Sequence, residues 1–361
     1  MIATLKGAFG DNGTRRRAIT LYAGLGSFNA LIWALTLVAA VRYPVILGAA
    51  ILAYSFGLRH AVDPDHIAAI DNTTRKLMQE RQRPVAVGFF FSLGHSTIVI
   101  LLSAALVVST TYIKQHLPQF KDTGSVIGTS VSAGFLILIG VINLFVMLDV
   151  YRQFRLVKRG EEQSAESLED YLNNRGLLAR LFRPALRLVD RSWKMYPVGF
   201  LFGLGFDTAS EVGLLALAAT FGGSGQLPVV FILLLPLLFT AGMSLVDTTD
   251  GVLMLGAYGW AFVKPIRKLY YNLTVTSISV MVALVVGGIE ALQVIGQQTG
   301  AITIGSGGSV GNGAFWVFIT RLNLANMGFV IVAVFALSWG LSTAIYKLRG
   351  YDRLGEGAQA V

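Results

Sequence analysis

Long apolar stretches alternate with short polar ones along this chain. A helix needs about 20 mostly apolar residues to cross a bilayer. Windows of that kind fall at residues 19–41, 45–70, 85–111, 125–149, 197–222, 228–257, 269–297 and 314–344. The pattern predicts an all-α membrane protein with eight transmembrane helices. Several windows exceed the minimum, which predicts tilted or broken helices. They divide the chain into a polar N-terminal segment (1–18), helices 1–4 (19–149), a hydrophilic loop (150–196), helices 5–8 (197–344) and a polar tail (345–361). The stretch "QTGAITIGSGGSVGNG" at 298–313 is uncharged and Gly-rich, and is expected to be a flexible external loop.

Charge gives the orientation. An even number of spans puts both termini on one face. Of the 29 Lys and Arg, 24 fall on that face and three on the other, while Arg59 and Arg321 lie within spans. Basic residues stay in the cytoplasm, so both termini and the loop 150–196 are expected there. The same sorting accounts for the net charge of +9 without a nucleic-acid partner. Charged residues make up 14% of the chain, against about 25% in soluble domains. The first 18 residues are polar and a full-length apolar segment follows, so no cleavable leader is expected. The chain has no cysteine, so a metal site must use nitrogen and oxygen donors.

The two halves echo one another. "FGLRHAVDPDH" (Phe56–His66) and "FGLGFDTASEV" (Phe202–Val212) lie 146 residues apart. "SLGHST" (Ser92–Thr97) and "SLVDTT" (Ser244–Thr249) are separated by 152, and "IGVIN" (Ile139–Asn143) and "VGGIE" (Val286–Glu290) by 147. Three weak matches in order predict that helices 2–4 and 5–7 are repeats. A three-span unit repeated once must invert, which is a plan of secondary transporters with a site near the midplane.

One apolar segment carries an unexpected load, "RHAVDPDHIAAIDN" (Arg59–Asn72). A charge at the bilayer centre costs about 2.5–3.5 kcal/mol on the lenient insertion scale. His60, Asp65 and His66 point to three sides of a straight helix. Pro64 removes a backbone donor and clashes with the preceding turn, so a break at Asp63–Pro64 is expected to bring the two histidines together. With His95 one span later, His60, Asp65 and His66 form a candidate metal site. Two or three imidazoles and a carboxylate suit Ni, Co, Zn, Cu or non-haem Fe, and suit Na⁺ or K⁺ poorly. Asp207 and Glu211 share one helical face, as do Asp247 and Asp250. These carboxylates are expected to orient the histidines or line an ion path, with Arg59 paired to one of them and Asp63 nearby. Asn143 and Glu290 either line the cavity or bridge helices. Asn29 and Val62 are candidate selectivity positions, and His116 is expected on an external loop.

"RHAVDPDHI", "LGHSTIV" (Leu93–Val99), "GFDTASE" (Gly205–Glu211) and "GMSLVDTTDG" (Gly242–Gly251) resemble, in order, the signature blocks of the nickel/cobalt transporter family. Pro64 and Ser210 stand where that family more usually has Ala and Thr. The resemblance implies a single-chain importer of Ni²⁺ or Co²⁺ in the bacterial cytoplasmic membrane, not an enzyme, with His60, Asp65 and His66 essential. The metal is then cargo, and no cofactor is implied. No GxxxxGK(S/T) phosphate loop occurs, and no ATPase partner is required. Irving–Williams affinity favours nickel slightly over cobalt. An exporter of similar architecture would share these ligands, and an intramembrane metalloenzyme is the alternative from another class.

Overall fold

The computed structural model describes residues 12–337 apart from 81, 109, 159–188, 206–207, 225, 262–264, 306–307, 323–326 and 336. The first helix, α1, runs Asn12–Arg42. Next come α2 (Val45–His60) and α3 (Pro64–Gln79), the two parts of the charged segment. They are followed by α4 (Val87–Val108) and the long α5 (Thr110–Lys158). After a short 3-10 turn, Ser192–Lys194, come α6 (Met195–Phe202) and α7 (Ala209–Ser224). Then α8 (Val229–Ile232), α9 (Leu234–Ala261) and α10 (Pro265–Gln298) follow. Two strands, β1 (Ile302–Gly305) and β2 (Gly308–Gly311), and α11 (Ala314–Arg321) complete the named elements. Residues 327–335 are helical as well.

Among the described residues, five helices are long and apolar enough to cross a membrane: α1, α4, the apolar part of α5, α8 with α9, and α10. The pair α2 and α3, bent by 51° at the break between them, passes the same test when taken together and makes a sixth if it counts as one span. This is a multi-pass membrane protein. The window 197–222 is not one helix: α6 stops at Phe202, and the chain turns through Gly203, Leu204 and Gly205 before α7. Two glycines in three residues make a continued helix costly, at about 1 kcal/mol each relative to alanine. The window 314–344 begins as α11, which ends at Arg321, and resumes as helix at 327–335.

Three expected loops are structured. Residues 71–84 were expected in the cytoplasm, yet α3 continues to Gln79 and is buried from His66 to Met78, Arg75 and Lys76 included. An ion pair one turn apart, Arg75 Nη2 to Asp71 Oδ2 at 3.1 Å, makes that burial tolerable. His116 belongs to α5, which starts at Thr110, not to a loop. The segment 298–313 folds as an antiparallel hairpin, Ile302 opposite Gly311 and Gly305 opposite Gly308. Its ends turn at Gly300 (φ 72°) and Gly313 (φ 92°), a region that glycine enters without strain.

The two halves of the chain pack against each other. Helix α9 lies along α2, and α4 lies along α6; α4 also meets α9, and α5 meets α10. Matching α2 with α6, α4 with α9 and α5 with α10 turns these four contacts into one another. Ser92 Oγ donates to Ser244 Oγ at 3.1 Å, joining the serines that open "SLGHST" and "SLVDTT". Both α2–α9 and α4–α6 are backbone-close crossings. A Cβ on Gly57 would come within 2.1 Å of the Phe239 carbonyl, and one on Gly199 within 1.9 Å of that of Phe91. Small residues let membrane helices approach this closely.

The C-terminal end of α3 is tied to the chain just before α6. Lys76 Nζ donates to the Val189 carbonyl. Gln82 Nε2 donates to the Asp190 carbonyl at 2.7 Å.

Candidate metal centre

The centre begins at the break in the charged segment. The last amides of α2 close tight turns, Val62 N to Arg59 O and Asp63 N to His60 O. Asp63 is extended (φ −68°, ψ 145°), and Pro64 opens α3. Proline suits that first position, because its missing N–H has no partner there anyway. The break lets His60 at the end of α2 face His66 in the first turn of α3, with ring centroids 4.6 Å apart. His95 on α4 completes the group, 4.7 Å from His60 and 4.9 Å from His66. Each ring offers a nitrogen such that the three lie within 4.8 Å of one another. All three are at most 2% exposed.

Carboxylates hold the rings. Asp63 Oδ2 accepts from His60 Nδ1 at 3.0 Å, and its other oxygen takes Arg59 Nη1 at 2.8 Å. Asp247 on α9 lies 3.3 Å from His66 Nδ1. An Nδ1–H donated to a carboxylate fixes the tautomer and leaves Nε2 with a free lone pair. His66 Nε2 accordingly has no hydrogen-bond partner among the described residues. His60 Nε2 and His95 Nε2 stand 2.9 Å apart, and Glu211 Oε1 on α7 lies 2.8 Å from the latter. Ser210 Oγ and Thr208 Oγ1 are 3.2 and 3.3 Å from His60 Nδ1. Phe91 packs edge-on to His66 and Phe239 lies against His60, so the cluster has apolar walls. Imidazole nitrogens gathered this closely could hold a borderline-soft cation.

The other candidates fall in several places. Asp65 is half-buried beside His66 and stands outside the three-histidine group, although its charge reaches both His60 and His66. Arg59 pairs with Asp63, not with a carboxylate from helices 5 or 6 among the described residues, and its guanidinium sits over the Phe329 ring. Asp250 is on α9, one turn beyond Asp247 and half-buried. Asp207 lies outside the described residues. Asn143 donates to Asn72 at 2.8 Å, bridging α5 to α3 away from the histidines, and Glu290 is buried on α10. Asn29 donates to Leu25 O and Ala241 O and accepts from Tyr54, so it ties α1 to α2 and α9. Val62 lies in the break itself, its carbonyl against Gly328. The sequence reading missed the hydroxyls of Thr208 and Ser210. Their signal was the repeat, which sets "DTASE" opposite the histidine-bearing block.

Comparison with known proteins places the whole chain. The family described as "High-affinity nickel-transport protein" matches residues 46–345. The chain is 49% identical over 340 residues to the "High-affinity nickel transport protein" of Cupriavidus necator, covering 94% of each. It is 50% identical to the "Nickel transporter NicT" of Mycobacterium tuberculosis, over 86% of this chain and 80% of that one. It is 38% identical to the "Cobalt transport protein NhlF" of Rhodococcus rhodochrous, over 81% of each. No solved structure matches. With most of its length matched and a buried three-histidine cluster at the break of its charged segment, the chain belongs to the high-affinity nickel-transport protein family.

Proposed function

We propose that this chain is a secondary transporter that carries Ni²⁺ into the cell across a bacterial inner membrane, with the three-histidine cluster as the seat of the ion. The observation that carries this reading is the convergence of His60, His66 and His95 nitrogens within 4.8 Å in a buried, apolar-walled place. In this reading Asp63 and Asp247 hold the histidines in their ligating tautomers, Asp65 adds negative charge, and Asp207 and Asp250 belong to the ion path.

Eight spans, with both termini in the cytoplasm, follow from the charge sorting and from counting the broken segments α6–α7 and α11 with 327–335 as one span each. The inverted repeat is supported by the self-matching contact map and by the Ser92–Ser244 pair. Two inverted halves rocking about a central seat give alternating access. No ATPase is needed: a dication moving into a negative interior gains about 4.6 kcal/mol per 100 mV. That supports more than about a thousandfold accumulation.

Radioactive nickel uptake at submicromolar concentration tests the reading, in cells carrying wild type, equally expressed His66→Ala, or empty vector. Wild type alone should accumulate nickel. Less accumulation than vector would mean export, and equality of all three would end the transport reading. Excess cobalt as competitor ranks the second substrate, which the 38% identity to a cobalt transport protein makes worth testing.

A further inference from the structure

Three imidazoles leave a divalent ion short of both donors and negative charge. A dication in a dry interior needs an anionic partner, and the family-like motif offers Asp65 as the adjacent carboxylate. Helix geometry works against it. Neighbouring residues on a helix point about 100° apart, so turning His66 toward His60 turns Asp65 away. It stays half-buried and outside the cluster.

The buried carboxylates differ in which nitrogen they face. Asp63 and Asp247 approach Nδ1 of His60 and His66, the side away from the cluster, and Asp63 is shared with Arg59. Glu211 alone of these approaches Nε2 atoms. Its Oε1 is 2.8 Å from His95 Nε2 and 3.7 Å from His60 Nε2, which are themselves 2.9 Å apart. Donors each about 2.1 Å from one ion lie roughly 3.0 Å apart at octahedral and 3.4 Å at tetrahedral angles. The triangle of two nitrogens and one oxygen has that size. Thr208 Oγ1 donates to Oε2 at 3.0 Å, which holds the carboxylate with Oε1 turned inward. Glu211 is 1% exposed, so water offers little competition for that oxygen.

We infer that Glu211 is a direct ligand of the transported ion and supplies the carboxylate that Asp65 does not. This rests on the three-histidine seat proposed above. The ion is then gripped from both halves: imidazoles come from α2, α3 and α4, and the carboxylate from α7. Opening the halves pulls one ligand away from the other three, which gives the ion a reason to leave.

The test uses the purified full chain in lipid nanodiscs, with Ni²⁺ affinity by calorimetry and visible d–d absorption of bound Co²⁺. Glu211→Gln keeps the size and one of the two acceptor oxygens, which Thr208 can still donate to, and removes the anionic donor. It should weaken Ni²⁺ binding by more than ~100-fold, beyond the usual loss of an outer-sphere partner, and shift the Co²⁺ bands. Glu211→Asp should recover part of the affinity, and Asp65→Asn, which removes nearby charge but no donor atom, should lower the affinity by about 10-fold while keeping wild-type bands. Thermal melts of each variant separate a lost ligand from a lost fold. Wild-type affinity and bands in Glu211→Gln would overturn the inference, as would a band shift confined to Asp65→Asn. His66→Ala with wild-type affinity would instead remove the histidine seat itself, and Glu211 with it.

Discussion

The molecule breaks its helices at two related places, and the two breaks are built differently. In the first half, α2 and α3 meet at Ala61–Asp63, with Arg59, His60, Asp63, Pro64, Asp65 and His66 packed around a 51° bend. In the second half, α6 and α7 meet around Gly203–Thr208, with glycines, hydroxyls and Glu211. The first break is loaded with nitrogen donors and its own counter-charge. The second is light and presents oxygen. Each is opened by different chemistry, proline in one and glycine in the other, yet both end at the same cluster. A site assembled from two unlike breaks can hold an ion firmly while each half keeps a separate share of the ligands.

The harshest way to break this comparison is to remove a donor from the first half. His60→Ala or His95→Ala should reduce submicromolar nickel uptake to vector level, because each leaves buried partners unsatisfied as well as costing a ligand. Nearly as severe is Gly57→Ala, whose Cβ would meet the Phe239 carbonyl at 2.1 Å. Its α2–α9 crossing must open, and detergent-solubilised protein should melt several degrees lower or fail to fold; a melt like wild type would mean that this crossing is loose. A gentler probe is Arg59→Gln. Arg59 touches Asp63, and Asp63 holds His60, so nickel affinity should fall about 10-fold with little change in melting. Lower pH acts on the nitrogens of both halves' shared site: protons compete for ligand imidazoles. Uptake at fixed membrane potential should fall as pH is lowered from about 7 to about 5, and a flat profile over that range would argue against imidazole ligation. The smallest effect is expected from Pro64→Ala. The second break persists without proline, and proline at a first helical position contributes about 0.4–1 kcal/mol at most. Transport should survive, and its loss would show that the first break depends on its proline.

The long apolar helices within windows 19–41, 85–111, 125–149, 228–257 and 269–297 were legible because membrane thickness sets a fixed length, and the break at Asp63–Pro64 because proline has one mechanical effect. The gathering of His60, His66 and His95 followed from that break. What stayed hidden depended on direction in space. Asp65 adjoins His66 in sequence, but neighbours on a helix diverge, and it stands outside the three-histidine group. The approach of Glu211 to His95 joins positions 116 residues apart in the chain. Asp71, Arg75 and Lys76 looked like a solvated loop, because a string of charges carries no mark that its members pair internally. The hairpin at 302–311 was hidden by glycine content that suits a loose loop and a tight turn equally.

The tie between the end of α3 and Val189–Asp190 has a consequence for how the chain could be divided. The halves already meet along α2–α9, α4–α6, α4–α9 and α5–α10, and this tie adds a fastening at the point where residues 159–188 rejoin the described structure. These contacts between the halves do not depend on the chain being continuous between them. Expressed as separate polypeptides, 1–158 and 189–361, they carry complementary surfaces sufficient to assemble in one membrane, and recovery of nickel uptake on co-expression is the expected sign.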